Sequence, residues 1–190
     1  QGFYKRVQTD KGHEFYEIDP ATLDYQPQQR LQAPSLQQVR QIEDVRQRLR
    51  TLVFADDRAG RGAWKILSAT LCYAAGLIPE AADDITAIDR AMTWGFNWDL
   101  GPFEIWDALG VERVAKKLQD EGRDLPPLVA NVLSTARPTF YVCDAGKRLY
   151  FDTGHAHHVE CVEAPHVLRL APLKARQQVI RTNPGASLID

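Results

Sequence analysis

Residues 94–111 read WGFNWDLGPFEIWDALGV and contain three of the chain's four tryptophans. Gly95 suits a chain reversal at positive φ. Pro102 suits the first position of a following helix, because its ring fixes φ and that position needs no N–H donor. The segment therefore predicts a corner closed by aromatic rings. The residues expected to build this corner are Gly95, Phe96, Trp98, Gly101, Pro102, Phe103, Trp106 and Asp107.

Clustered aromatic rings can pack in a protein core or bind a ligand. Apolar side chains at helical spacing usually form core, so packing is the favoured interpretation of this corner. A groove for an apolar ligand is the alternative.

Composition limits the class of protein. With 190 residues, 44% of them apolar, the chain is long enough for one compact domain with a core. Its 23 basic and 25 acidic residues give a net charge of −2, which argues against a nucleic-acid partner. The longest apolar run, residues 66–78, is too short to span a membrane. Three cysteines without a CxxC motif are typical of a reducing compartment, so we expect a cytoplasmic protein.

Apolar periodicity predicts helices through the middle of the chain. Ser35 and Gln38 match a capping box at the start of the first helix. Asp124 is the expected cap of the last. The six predicted helices span residues 35–54, 63–76, 79–95, 102–110, 111–121 and 126–135.

Alternating segments on both sides of the helices predict two β-hairpins, over residues 2–25 and 139–152, with a third strand near 157–162. The hairpins share a pattern. Each begins with Phe-Tyr, at residues 3–4 and 140–141, and returns with a tyrosine, Tyr16 or Tyr150. This pattern suggests an internal repeat whose earlier copy precedes Gln1.

The stretch from Pro79 to Val111 resembles the C-terminal helical domain of 3-hydroxyacyl-CoA dehydrogenases. The residues that carry the resemblance are Ala87-Ile88-Asp89-Arg90-Ala91-Met92, Gly95, and Gly101-Pro102-Phe103-Glu104-Ile105-Trp106-Asp107-Ala108-Leu109-Gly110. In addition, residues 2–5 resemble the tail of one copy of that domain, and residues 183–188 resemble the lead into an enoyl-CoA hydratase domain.

The resemblance implies a mainly α fold of about six helices, of the 6-phosphogluconate-dehydrogenase-C-terminal-like type, flanked by two short hairpins. It implies four segments. These are a hairpin tail of a preceding copy (1–27), the helical domain (28–138), a second hairpin (139–162) and a linker towards a hydratase domain (163–190). Both ends are therefore expected to lie inside a longer polypeptide.

For the intact parent enzyme the resemblance implies NAD as cofactor. The implied partners are an upstream Rossmann domain, a first helical copy and a downstream enoyl-CoA hydratase domain. The resemblance leaves open whether the protein forms a homo-oligomer. The family's Rossmann domain, its His-Glu base pair and its catalytic Asn are not visible in this chain. Gly60-Arg61-Gly62 lacks the third glycine of a dinucleotide loop, and residues 64–68 lack the family's catalytic Asn. We therefore expect no catalytic, cofactor-binding or metal-binding residue and no activity in this chain alone.

Two clusters could still carry chemistry. The carboxylates Asp83, Asp84, Asp89, Glu104 and Asp107 could form an acid/base pair. The preference of helix N-termini for negative charge explains Asp83, Asp84 and Glu104 more simply. Hydrogen bonds to backbone N–H groups explain Asp89 and Asp107. The histidine-rich strand could bind zinc through His155, His157 and Cys161, beside His158, with His166 or Cys143 as a fourth ligand. An exposed polar strand is the favoured interpretation, and a metal-dependent hydrolase the rival one.

Overall fold

The computed structural model describes residues 2–10, 12–28, 32–162, 179–183 and 186–189. The helices are α1 Pro34–Val39, α2 Val45–Val53, α3 Arg58–Gly76, α4 Ile85–Arg90 continued by a π-helical turn Ala91–Gly95, α5 Pro102–Leu109, α6 Val111–Asp120 and α7 Pro127–Leu133. The strands are β1 Tyr4–Thr9, β2 Gly12–Ile18, β3 Tyr25–Pro27, β4 Tyr141–Asp144, β5 Lys147–Asp152, β6 His157–Glu160, β7 Val179–Thr182 and β8 Ser187–Ile189.

Helices and small antiparallel sheets are combined, so the fold is mixed and the expectation of a mainly α chain is too simple. Two sheets are three-stranded meanders, β1-β2-β3 and β4-β5-β6, and β7 pairs with β8. Strand β3 was not predicted, and β7 and β8 lie in the segment expected to be a linker. Residues 163–178, with Pro165 and Pro172, and Pro184 lie outside the described residues.

The predicted first helix, 35–54, is two helices. Asp44 caps α2, because its carboxylate accepts the N–H of Gln47 at 2.6 Å while its own backbone is extended. The guanidinium of Arg48 donates to the carbonyl of Ile42 and so holds the break between the helices. Ser35 does not cap α1; Ala33 occupies that position and Pro34 begins the helix.

Helix α3 starts five residues earlier than predicted. Asp57 caps it by accepting the N–H of Gly60 at 2.8 Å, and the same carboxylate binds the N–H and hydroxyl of Ser35. These hydrogen bonds lower the pKa of Asp57. A Cβ at Gly60 would overlap the carbonyl of Ala55, so close backbone packing requires this glycine.

Two other helix boundaries also differ from prediction. Helix α4 begins at Ile85 and not at Pro79, and Asp84 caps it: the Asp84 carboxylate accepts the N–H of Ala87 at 2.9 Å. Helix α7 begins at Pro127 after Pro126, so Asp124 is not its cap. Among the described helices, none is long and apolar enough to cross a membrane.

The two meanders have hydrogen bonds at equivalent positions. In the first meander, the N–H of Ile18 donates to Phe3 O, the N–H of Gln28 donates to Phe15 O, and the Tyr25 hydroxyl donates to Gly2 O. In the second meander, the N–H of Phe151 donates to Phe140 O, the N–H of Cys161 donates to Arg148 O, and the His158 ring nitrogen contacts Thr139 O. This equivalence aligns Phe3 with Phe140. It aligns Tyr16 with Leu149, so the expected match of Tyr16 with Tyr150 is shifted by one residue.

The core lies where α3, α5, α6 and α7 meet the second meander. Its fully buried members with the largest side chains are Trp106, Phe103, Phe140, Phe151, Leu71, Ile85 and Leu118. Helix α5 supplies most of its inner face to this core, with six of its eight residues buried. The aromatic corner is therefore part of the main core.

Candidate functional site

The corner between α4 and α5 is built differently at its two ends. Gly95 ends the π-helical turn without a positive φ, and Asn97 takes the left-handed conformation with φ 56°. The ring of Phe96 is 71% exposed, so it does not fill the corner. Trp98 is half-buried against the core. The expected roles of Gly95 and Phe96 are therefore wrong.

The α5 end of the corner is closed by aromatic packing. Pro102 begins the helix, and Phe103 and Trp106 are fully buried. The Phe103 ring meets Phe140 edge-on at a centroid distance of 4.9 Å. The indole N–H of Trp106 donates to the carbonyl of Leu71 at 3.3 Å, which joins α5 to α3.

Asp89 connects α4 to the start of α5. One carboxylate oxygen accepts the N–H of Phe103 at 2.9 Å, and the other accepts the N–H of Glu104 at 3.2 Å and the hydroxyl of Tyr141 at 2.8 Å. A Cβ at Gly101 would overlap this carboxyl, so the position requires glycine. Asp89 thus supplies the side-chain acceptor that the first turn of α5 needs.

Asp107 connects α5 to the second meander. Its two oxygens accept the N–H groups of Phe140 and Tyr141, both at 2.8 Å. The hydrogen bonds to backbone N–H groups that the sequence suggested for Asp89 and Asp107 are thus present. Each oxygen of both carboxylates already has a donor within the chain.

Glu104 and Arg148 form an ion pair beside Asp89. Their closest approach is 2.7 Å, and their side chains are only 14% and 17% exposed. The guanidinium of Arg148 also lies 4.1 Å from the ring centroid of Tyr141. A small cavity of about 210 Å³ lies against these side chains. Sequence analysis missed Tyr141 and Arg148 as partners, since they are 52 and 44 residues from the carboxylates that they bind.

Burial dominates the electrostatics of the corner. It raises the pKa of Asp89 to about 7, against the lowering effect of the Phe103 N–H and the Tyr141 hydroxyl. It also raises the pKa of Asp107 to about 7, against the Phe140 and Tyr141 N–H groups. Such values would suit a general acid or base at neutral pH. Asp89 is only 5% exposed, however, and its donors are internal, so the arrangement favours a structural role.

The remaining acidic candidates lie apart from this network. Asp84 is the cap of α4 and also accepts the hydroxyl of Thr86 at 2.7 Å. Asp83 is exposed on the preceding turn. The five carboxylates of the predicted cluster therefore divide into two sets. Asp89 is buried, with Glu104 and Asp107 half-buried near it, whereas Asp83 and Asp84 lie before the start of α4.

The histidine-rich segment does not place His155, His157 and Cys161 on one strand, as the alternative of a zinc site would require. His155 lies in the turn before β6, where its ring nitrogen contacts Asp152 at 3.0 Å, and only His157 and His158 belong to the strand. His158 contacts the carbonyl of Thr139 at 2.8 Å. Within the described ranges no group of three or more His, Cys, Asp or Glu residues could hold a metal ion. His166 lies outside them.

We expect protein purified without a histidine tag to contain far less than one equivalent of zinc. The reason is that His155 and His157 hydrogen-bond within their own turn, whereas a structural zinc site needs four ligands in tetrahedral geometry. Elemental analysis after dialysis measures the zinc content, and one equivalent per chain would contradict the expectation.

Comparison with known proteins supports the resemblance seen in the corner. The chain is similar over its whole length to a probable 3-hydroxyacyl-CoA dehydrogenase. That relative, from Bacillus subtilis strain 168, is 43% identical over 190 residues, which are 100% of this chain and 23% of the relative. A putative fatty acid oxidation complex trifunctional enzyme from Rickettsia felis is 32% identical over 71 residues, 37% of this chain and 10% of that protein.

The chain thus spans less than a quarter of the length of the curated relatives that it matches. No family model matches it. No solved structure matches it.

Proposed function

We propose that this chain is a non-catalytic helical module of a multifunctional 3-hydroxyacyl-CoA dehydrogenase of fatty-acid β-oxidation. The intact enzyme would use NAD to oxidise a 3-hydroxyacyl-CoA, with the cofactor on an upstream Rossmann domain. The module would support the packing of that domain, of a first helical copy and of a downstream enoyl-CoA hydratase domain. The similarity of the whole chain to the probable 3-hydroxyacyl-CoA dehydrogenase of Bacillus subtilis supports this proposal.

One observation carries the non-catalytic role. Asp89 and Asp107, two carboxylates of the family-like corner, hold α5 to its neighbours through backbone N–H groups. The Gly-x-Gly sequence at residues 60–62 lies within the first turns of α3 and not in the strand-to-helix loop that binds a dinucleotide.

The first meander supports a repeated architecture. Phe3 is 78% exposed, whereas its equivalent Phe140 is fully buried on α5. Residues 1–27 would accordingly be the tail of a preceding helical copy, with Phe3 packed on that copy as Phe140 packs on this one. Residues 28–138 would then be a second copy, and 139–162 its own tail.

A second candidate function is an acyl-CoA-binding module that contributes a substrate groove. A large open groove beside α3 favours it, with apolar and basic residues around it.

The non-catalytic role is tested in the longer polypeptide with Asp89→Asn. We expect kcat for 3-hydroxybutyryl-CoA to stay within about twofold per folded molecule while the melting temperature falls, because a buried hydrogen-bonded network is weakened. The exposed control Asp83→Asn should change neither quantity. The chain of 190 residues alone should produce no NADH. A loss of kcat by a hundredfold at unchanged melting temperature would make Asp89 part of the chemistry and reject the proposal.

A further inference from the structure

One face of α3 is left uncovered by the described part of the chain. Helix α3 has 19 residues, the most of any described helix, and it packs on α1, α2, α5 and α7. On its outer side, Ile66 is 73% exposed and Tyr73 is 70% exposed. Large apolar side chains that lie together on a surface often mark a contact with another protein.

The outer face of α3 has the spacing of a coiled coil. Positions 62, 66, 69, 73 and 76 are separated alternately by four and three residues, as the a and d positions of a heptad are. The small residues Gly62, Ala69 and Gly76 alternate here with Ile66 and Tyr73, and all five are exposed. We call these five residues the α3 seam.

The fold of the single chain does not explain Gly62. A Cβ at this position would meet no described atom within 4 Å, and its φ is not positive. Gly60 differs, because a Cβ there would overlap the carbonyl of Ala55. Glycine destabilises the interior of a helix relative to alanine. A glycine on an exposed helix face instead lets the backbone or side chain of a partner approach closely.

The charges of α3 indicate how a partner helix would run. All three charged residues of the helix, Arg58, Arg61 and Lys65, lie in its first half, where the helix dipole disfavours positive charge. Arg61 pairs with Asp56 at 3.3 Å, and within the described ranges Arg58 and Lys65 form no ion pair. Three carboxylates follow the helix in residues 80–84. An antiparallel second α3 would bring such carboxylates towards Arg58, whereas a parallel one would bring like charges together.

We propose that two copies of this chain pair through the α3 seam, antiparallel and around a twofold axis near the middle of the helix. This arrangement sets each large side chain against a small one. Tyr73 of one copy packs on Gly62 of the other, and Ile66 packs on Ala69. Every layer of the seam then has one knob and one hole. The pairing does not depend on whether the module takes part in catalysis.

Sedimentation equilibrium of the 190-residue chain tests this dimer. A reducing agent in the buffer prevents the exposed Cys143 from linking two copies covalently. One helix pair is smaller than a standard interface, so we expect a dissociation constant on the order of 10–100 μM. A chain that stays monomeric at millimolar concentration overturns the proposal.

Tyr73→Glu and Phe96→Glu locate the contact. Both positions carry exposed aromatic rings, but Phe96 lies outside the α3 seam. Tyr73→Glu should raise the dissociation constant of the dimer at least about tenfold, because it places a charge in an apolar contact. Phe96→Glu should leave the constant unchanged. Equal effects of the two variants, or none from Tyr73→Glu, show that the copies do not meet at this face.

Gly62→Leu separates the stability of the helix from the stability of the dimer. In dilute solution we expect a higher melting temperature, because leucine is a better helix former and its Cβ meets open space. The same side chain fills the hole meant for Tyr73, so the dissociation constant should rise at least about tenfold. A dimer as tight as that of the unmodified chain contradicts close packing at Gly62.

A charge exchange tests the antiparallel direction. Arg58→Glu and Glu80→Arg should each raise the dissociation constant by about twofold to fivefold, as expected for an exposed ion pair. The double variant Arg58→Glu/Glu80→Arg should restore the original value, since each copy then carries both exchanged charges. A double variant that pairs no better than either single variant rules out this direction.

Discussion

Replacement of Trp106 by alanine should lower the free energy of unfolding by about 3–5 kcal/mol, the usual cost of truncating a buried tryptophan. The side chain is fully buried, and its ring lies 6.0 Å from that of Phe140. Truncation would leave a cavity between α5 and the second meander. It would also remove the indole N–H that donates a hydrogen bond to the Leu71 carbonyl. Urea denaturation followed by circular dichroism measures the change.

Trp94→Ala is the matched control within the same stretch. Its ring is 72% exposed, although the guanidinium of Arg90 lies 5.9 Å from the ring centroid. We expect this variant to change the free energy of unfolding by less than about 0.5 kcal/mol, as for most surface substitutions. Equal losses from both variants, or none from Trp106→Ala, would mean that the corner does not close the core.

The α5 side of the corner could be predicted from the sequence because its signals are local. Pro102 at the first helical position and Gly110 after the last one define α5, and Gly110 indeed has a positive φ of 91°. The spacing of Phe103 and Trp106 then places both rings on one helix face. Burial of that face follows from its apolar content.

The break between α1 and α2 could not be predicted in the same way. The apolar spacing continues through Ile42, so periodicity alone favours one helix. Asp44 interrupts the helix itself, because its backbone is extended and its carboxylate caps the start of α2. The cap could have been suspected from Asp44 itself. The Ser35 to Asp57 hydrogen bonds that anchor α1 join residues that are 22 apart.

The polar network around Asp89 also depends on tertiary contacts. Sequence analysis suggested backbone hydrogen bonds for this carboxylate, which is a local property of a helix start. The Tyr141 hydroxyl and the Glu104–Arg148 pair arise only when the second meander docks on α5. No spacing rule links these residues. The groove beside α3 is likewise formed by three helices whose relative placement the sequence does not specify.

The stability of the chain should fall as pH rises from about 4 through 7. Burial raises the pKa of Asp89 and of Asp107 to about 7 in the folded state, whereas an unfolded aspartate has a pKa of about 3.9. Between these values the folded state binds more protons than the unfolded state, so the free energy of unfolding decreases with pH. The stabilisation is complete below about pH 4 and lost above the folded pKa, on the order of 4 kcal/mol per carboxyl.

Urea denaturation at half-unit steps from pH 4.5 to 8.5 measures this slope. Asp89→Asn and Asp107→Asn should each flatten it, because an amide does not titrate. Asp57 and Asp152 are controls whose effect on stability has the opposite pH dependence. Hydrogen bonds lower their pKa, so the stability that they contribute is lost only as the pH falls into the acid range. A stability that instead rises between pH 5 and 8 would mean that the backbone donors outweigh burial. Both carboxylates would then be ionised at neutral pH, and the corner would be held by charged hydrogen bonds.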